Sequence, residues 1–221
     1  MYTADEVRDL VRYAIVRGVK VLPELDTPAH IGHGWEWGPR YGLGDLVLCL
    51  DKLPWEDYCY QPPCGLINPA NDRVYPILAD FYRDLADLFP TDMMHMGGDE
   101  VIMKCWNETD EVVQKLEAYG RGREKEDFLY LWSQWLQRTV QDVDAAFGRQ
   151  LPLVYWTNGF TESMEPESYM DPSRFIIQVW TKADDLSIKR AYEKVRPLFE
   201  PVPVGFGADW NDLRSGTFSF R

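Results

Sequence analysis

The sequence predicts an α/β fold in which helices cover a parallel sheet. Two observations carry this. Short apolar runs alternate with segments of helical spacing, and the residues suited to chemistry cluster at the carboxyl ends of those runs. In a (β/α)8 TIM barrel those ends form the catalytic face. Eight strands close such a barrel, and only four or five are visible, so the expected architecture is an incomplete barrel.

Along the chain, residues 3–17 predict a helix: Thr3 and Glu6 make a capping box, and Val7, Leu10, Val11, Ala14 and Ile15 share one face. Gly18 stops it. Val19 to Leu25 reads as a buried strand ending at Asp26-Thr27-Pro28, before an irregular Gly- and Pro-rich stretch to about residue 70. Val74, Ile77, Leu78, Phe81, Leu85 and Leu88 mark the next helix, and Met93 to Met96 a short strand running into Gly97-Gly98-Asp99-Glu100. One helix or a pair covers about 108–147, with Phe128, Leu131, Trp132, Trp135 and Leu136 at helical spacing. Strands are expected at Leu153–Trp156 and Phe175–Trp180, then a helix near 185–199 and a strand around Val202–Val204.

With 221 residues, 45% of them hydrophobic and 27% charged, the chain has the profile of one globular domain. A net charge of −13 argues against nucleic acid or an anionic membrane as partner. No apolar run reaches the length of a membrane span, and Met1 is not followed by a signal peptide. Nine Trp are expected mostly in the core, with some free to stack on the apolar face of a sugar. Cys59 and Cys64, with Pro62 and Pro63 between them, suit a short disulfide loop in an oxidising compartment. No metal-type Cys spacing or thiol-nucleophile context is present, so neither a metal nor another cofactor is expected.

The acidic pair Asp99-Glu100 is the first candidate for acid/base work. Neighbouring strand residues point to opposite faces, so both carboxylates reach one site only if the backbone bends, as Gly97-Gly98 permits. The competing reading is a polar loop with solvated carboxylates.

His95-Met96-Gly97-Gly98-Asp99-Glu100 resembles the catalytic signature of the family-20 glycoside hydrolases, the β-N-acetylhexosaminidases. Val21-Leu22-Pro23-Glu24 and Asp26-Thr27-Pro28-Ala29-His30 resemble that family's strand-three motif, with Ala29 where Gly is usual. Cys105-Trp106, Val154-Tyr155-Trp156-Thr157 and Ile177-Gln178-Val179-Trp180 come in the family's order, and the Cys59–Cys64 region is similar to arthropod members. The resemblance covers about residues 3–199. It implies Glu100 as proton donor and Asp99 as the residue orienting the substrate's acetamido group, whose own oxygen attacks C1 to give an oxazolinium with net retention. It implies substrate binding by His30, Trp156 and Trp180, with Asp26 and His95 behind them. It also implies a second disulfide, Cys49–Cys105, an oligosaccharide substrate, and an extracellular or lysosomal setting in which Asn107-Glu108-Thr109 is a glycosylation site.

The departures shape the remaining expectations. The family's first strands, its Tyr-x-Asp motif and its last strand have no counterpart, although Gly205-Phe206-Gly207 resembles the segment just after Tyr-x-Asp. The chain is therefore expected to be a (β/α)8 barrel lacking the first and last strands, with 1–207 a partial catalytic domain and 208–221 a divergent tail. Such a fragment is expected to be poorly stable and inactive alone, and its exposed edges to favour a homodimer. Three alternatives compete. An inactive truncated paralogue or glycan-binding fragment accounts for the missing pocket residues. A metal hydrolase would use Asp26, His30 and His33, but no third His or Cys lies at ligand spacing. Gly97-Gly98-Asp99-Glu100 also resembles diguanylate cyclase signatures, which want an aromatic where Val101 stands.

Overall fold

The computed structural model describes residues 2–163 and 165–180, except the side chain of residue 180, and the backbone of 217–220. The predicted helix at 185–199 and strand at 202–204 lie outside the described residues.

Helix α1 (Ala4–Ile15) starts on the expected capping box, with Thr3 and Glu6 exchanging hydrogen bonds. Gly18, at φ +74°, accepts the left-handed turn that ends it, with its N–H on Ile15 O. Its predicted apolar face is not buried as a whole. Val11 is enclosed, whereas Leu10 is 59% and Ile15 51% exposed, because no described element covers that side.

The segment predicted as a strand at 19–25 reduces to one parallel bridge, Glu24 to His95. His95 N–H donates to Pro23 O and Leu25 N–H to His95 O. Pro23 has no N–H to extend a ladder, and no described residue pairs on the segment's other side. The stretch to residue 70 is more ordered than its composition suggests. It holds an antiparallel pair, β1 (Val47–Leu48) with β2 (Leu66–Ile67), over a core of Leu46, Leu66, Ile67 and Tyr58.

Helix α2 (Val74–Leu88) buries Val74, Leu78 and Tyr82 against α5 (Lys125–Phe147), which turns Trp132, Trp135, Leu136 and Thr139 inward. Phe81 stays partly exposed and stacks on Trp35 from the loop, ring centroids 5.6 Å apart. Strand β3 (Met94–His95) leads through the acidic pair to two short helices, α3 (Met103–Asn107) and α4 (Asp110–Ala118). Within the region predicted as one helix or a pair, α4 and α5 are separate; α3 has no counterpart in the sequence reading. Strands β4 (Leu153–Trp156) and β5 (Phe175–Trp180) stand where expected.

β3, β4 and β5 pair in parallel in that order. The register sorts side chains by face. Met94, Leu153, Tyr155, Phe175 and Ile177 are buried on the helix side, while His95, Trp156 and Gln178 share the opposite face with Glu24. Four residues of the segment expected as a divergent tail form β6 (Thr217–Phe220), antiparallel to β5.

Two disulfides close the loop region. Cys59 pairs with Cys64, Cα atoms 5.3 Å apart, and Cys49 with Cys105, 5.9 Å apart, tying the β1 loop to α3. Thiol titration of protein made in a secretory host is expected to find no free thiol without reductant and four with it; four in the native protein would contradict both pairings.

Candidate active site

The acidic pair is shaped by backbone conformation. After β3, Gly97 and Gly98 take φ of +68° and +96°, and Glu100 stands at +55°, the left-handed region that non-glycine residues seldom adopt. Space imposes the same choice. A Cβ at Gly97 would overlap Asp26, and one at Gly98 the ring of Tyr155. Gly97 O still accepts from Trp156 N–H at 2.9 Å, so the strand bends without leaving the sheet.

The bend brings Asp99 and Glu100 to one side. His30 Nε2 lies 3.7 Å from Asp99 Oδ2 and 3.3 Å from Glu100 Oε2. Asp99 and Glu100 are 14% and 18% exposed. Asp99 Oδ1 and Glu100 Oε2 are enclosed without a well-formed hydrogen bond among the described residues, Glu100 Oε2 being the oxygen nearest His30. His30 itself stands at φ +57°, so two non-glycine residues of one cluster hold sparsely populated backbone conformations, a pattern common at functional sites.

Electrostatics divides the carboxyls. Asp26 receives the Gly98 N–H at 3.2 Å on Oδ1. Burial, then the charge of Asp99, pushes its carboxyl up to about 7. Burial, the largest single influence, opposes ionisation of Asp99 as well, but hydrogen bonds and charge around it, those of His30 foremost, together hold Asp99 below the usual carboxylate range. His30 is raised in turn, chiefly by Asp99. Near neutral pH Asp99 is ionised beside a His30 biased toward its cationic form, with Asp26 between its two charge states.

Behind the pair lies a second layer. His95 is buried, and its Nδ1 accepts the Gly97 N–H at 3.0 Å, which leaves the ring proton on Nε2 for Gln178 Oε1 at 3.1 Å. Burial lowers the His95 pKa, so the ring is neutral. Trp156 leans on it with centroids 4.8 Å apart and donates its indole N–H to Glu24 Oε1 at 2.9 Å. Tyr155, fully buried, accepts from Trp132 Nε1 at 3.2 Å beneath Gly98.

Asp26, His30, Asp99, Glu100, His95 and Trp156 thus gather around one strand end. The side chain of Trp180 lies outside the described residues, and His33 turns away to Glu36, 2.8 Å from its Oε1. Asp26, His30 and Asp99 each bring a donor atom within 4.8 Å of the others, the trio among the described residues that could hold a cation; His33 is not in it. A cavity of about 590 Å³ lies elsewhere, between α5 and the lead-in to β5, and includes none of these residues. Sequence reasoning missed Glu24 and Gln178 as site residues. Alternation sets Glu24 on the same face as Asp26, a signal that was available; Gln178 depends on the pairing of β4 with β5.

Comparison with known proteins identifies the family. The profile of the glycosyl hydrolase family 20 catalytic domain matches residues 1–197. The chain is 42% identical over 195 residues to a chitooligosaccharidolytic β-N-acetylglucosaminidase of Ostrinia furnacalis, covering 88% of this chain and 32% of that protein. It is 40% identical over 216 residues to the Bombyx mori protein of the same name, covering 94% and 35%. The chain therefore spans about a third of the length of these relatives. A family-20 exo-β-N-acetylglucosaminidase from Vibrio harveyi, solved with N-acetylglucosamine, superposes with a TM-score of 0.66 at 22% identity, over 90% of this chain and 28% of that one. That likeness shows the fold, a TIM-barrel-type domain of which the described residues form a partial α/β sheet. With a profile match over nearly its whole length and two relatives at 40% identity or more, the chain belongs to glycosyl hydrolase family 20.

Proposed function

We propose that this chain carries the acid and the acetamide-orienting carboxylate of a retaining β-N-acetylhexosaminidase. Its substrates are oligosaccharides with terminal, non-reducing β-linked N-acetylglucosamine or N-acetylgalactosamine. One observation supports this most directly: Asp99 and Glu100, adjacent in sequence, both turn toward His30 at one strand end.

Glu100 gives its proton to the glycosidic oxygen as the C1–O bond breaks and the electron pair leaves with the aglycone. The substrate's acetamido oxygen closes on C1, and ionised Asp99 accepts the acetamido N–H, stabilising the oxazolinium. Water then attacks C1 and gives its proton to Glu100, and the ring oxygen returns to the acetamide. Two inversions give retention. His30 stands beside both carboxylates, and Trp156 walls the sugar pocket; Trp180 is assigned to substrate binding by family resemblance.

In the same proposal, residues 1–207 are a central part of the barrel, lacking its first and last strands, and 208–221 are a divergent tail outside the barrel pattern. The antiparallel pairing of β6 supports this, since a (β/α)8 barrel would add a parallel neighbour there. Two disulfides fit an extracellular or lysosomal setting, with Asn107, half-buried at the end of α3, as glycan acceptor. The apolar side chains that α1 leaves exposed support association into a homodimer.

The mechanism predicts that Asp99→Asn impairs hydrolysis of N-acetyl substrates and that a thiazoline mimic of the intermediate inhibits competitively. No covalent glycosyl–enzyme should accumulate. Mass spectrometry after incubation with a fluorinated substrate reads this, and a sugar trapped on Asp99 would sink the proposal.

A further inference from the structure

Trp156 has one polar atom, and it is fixed. The indole N–H donates to Glu24 Oε1 at 2.9 Å, across 132 residues of sequence. One ring face leans on His95, tilted by 52°, and the side chain is only half-buried. His95 cannot yield readily, because Gly97 N–H holds its Nδ1, Gln178 its Nε2, and Glu24 Oε1 itself lies 3.3 Å from Nδ1, so Glu24 braces both rings. An indole turns about two side-chain bonds, and packing on one face alone leaves the second poorly set. The Glu24 bond removes that freedom. Register supports the same assignment, since Glu24 pairs with His95 and Trp156 with Gln178, so all four lie on the sheet face opposite the helices.

We propose that Glu24 is a positioning residue whose carboxylate sets the angle at which Trp156 presents its free face to the sugar. This rests on the hexosaminidase reading for the identity of the ligand, but not for the geometry. Glu24 touches no reacting atom. It acts through Trp156 on substrate affinity, so its loss raises KM and leaves kcat for an aryl N-acetylglucosaminide within a few-fold. Asp26, two residues on, lies toward the acidic pair, so one short segment orients both the sugar wall and the carboxylates.

The test uses protein with 15N-labelled tryptophan, in which Trp156→Phe assigns the Trp156 indole signal. In the wild type that signal is expected downfield and slow to exchange with solvent. Glu24→Leu should move it upfield and speed its exchange while other indole signals stay; Glu24→Ala serves if the leucine variant does not fold. Glu24→Gln keeps an acceptor and should restore most of the wild-type position. On the kinetic side, Glu24→Leu should raise KM about tenfold, the scale of a lost hydrogen bond to a charged group. In a Trp156→Phe background it should add less than about twofold, because the two residues act as one unit. A wild-type Trp156 signal at the free-indole position, no change in it on Glu24→Leu, or an undiminished KM effect in the double variant would overturn the proposal. The kinetic arm is read in a full-length context, where absence of wild-type hydrolysis would count against the hexosaminidase reading alone, since the indole signal decides the role of Glu24.

Discussion

In a full-length context Glu100→Gln is expected to lower turnover of oligosaccharides with poor leaving groups by two to four orders of magnitude, about 3–5 kcal/mol of transition-state stabilisation. The substitution keeps the side chain's size and hydrogen-bonding reach, so the left-handed backbone at this position is undisturbed. It removes only the transferable proton. A nitrophenyl leaving group needs little protonation, so its hydrolysis should fall far less, with deglycosylation becoming the slower step. Parallel assays on a chito-oligosaccharide and a nitrophenyl N-acetylglucosaminide measure the difference. Equal losses on both would remove Glu100 from the role of acid and leave a carboxylate that matters only for binding.

The second large effect falls on folding. At Gly98 an added methyl meets the Tyr155 ring, and the φ of +96° is unfavourable for any L side chain. Forcing a methyl into a packed interior costs about 1–3 kcal/mol, and a left-handed backbone about 1–2 kcal/mol more. Gly98→Ala should therefore lower the thermal midpoint by roughly 10 °C, taking 2–4 °C per kcal/mol for a chain of this size. Adding Tyr155→Leu frees the space and should destabilise the Gly98→Ala protein less than it does the wild type. Strict additivity of the two in calorimetry would mean that the methyl finds room elsewhere.

How far the fold could be read from sequence depended on the range of the forces involved. The Thr3–Glu6 box and the Gly18 stop are local hydrogen-bond chemistry, and both stand in the structure. The parallel pairing of β3 with β4 follows from helices intervening between apolar runs, whereas β4 and β5 pair in parallel with only the short turn Pro166–Ser168 as a helical element between them. The apolar face of α1 was legible, but periodicity reports what a helix could bury, not what is there to cover it; Leu10 and Ile15 remain in water. The strand at 19–25 was overextended because apolar content does not reveal that Pro23 leaves the ladder one donor short. β1 and β2, two residues each, fall below any periodic signal. At the site, Asp99, Glu100, His30 and Trp156 were named from motifs, and their roles rest on resemblance. The His95–Gln178 bond joins residues 83 apart and depends on strand order and register together, which no local pattern encodes.

The parity of the segment from Val21 to Asp26 has an evolutionary consequence. Glu24 and Asp26 face the site, and Leu25 between them faces the packed side only because the bridge to His95 fixes the register. In-frame loss or gain of a single codon in this stretch would rotate every later side chain by half a turn, presenting Leu25 to the sugar and turning both carboxyls toward the helices. Point substitutions here can be graded, but length changes cannot. The loop between Trp35 and Asp45, most of whose residues are exposed, is where variation in length can be absorbed. Lineages of this domain should therefore diverge there by insertion while these six residues keep their count.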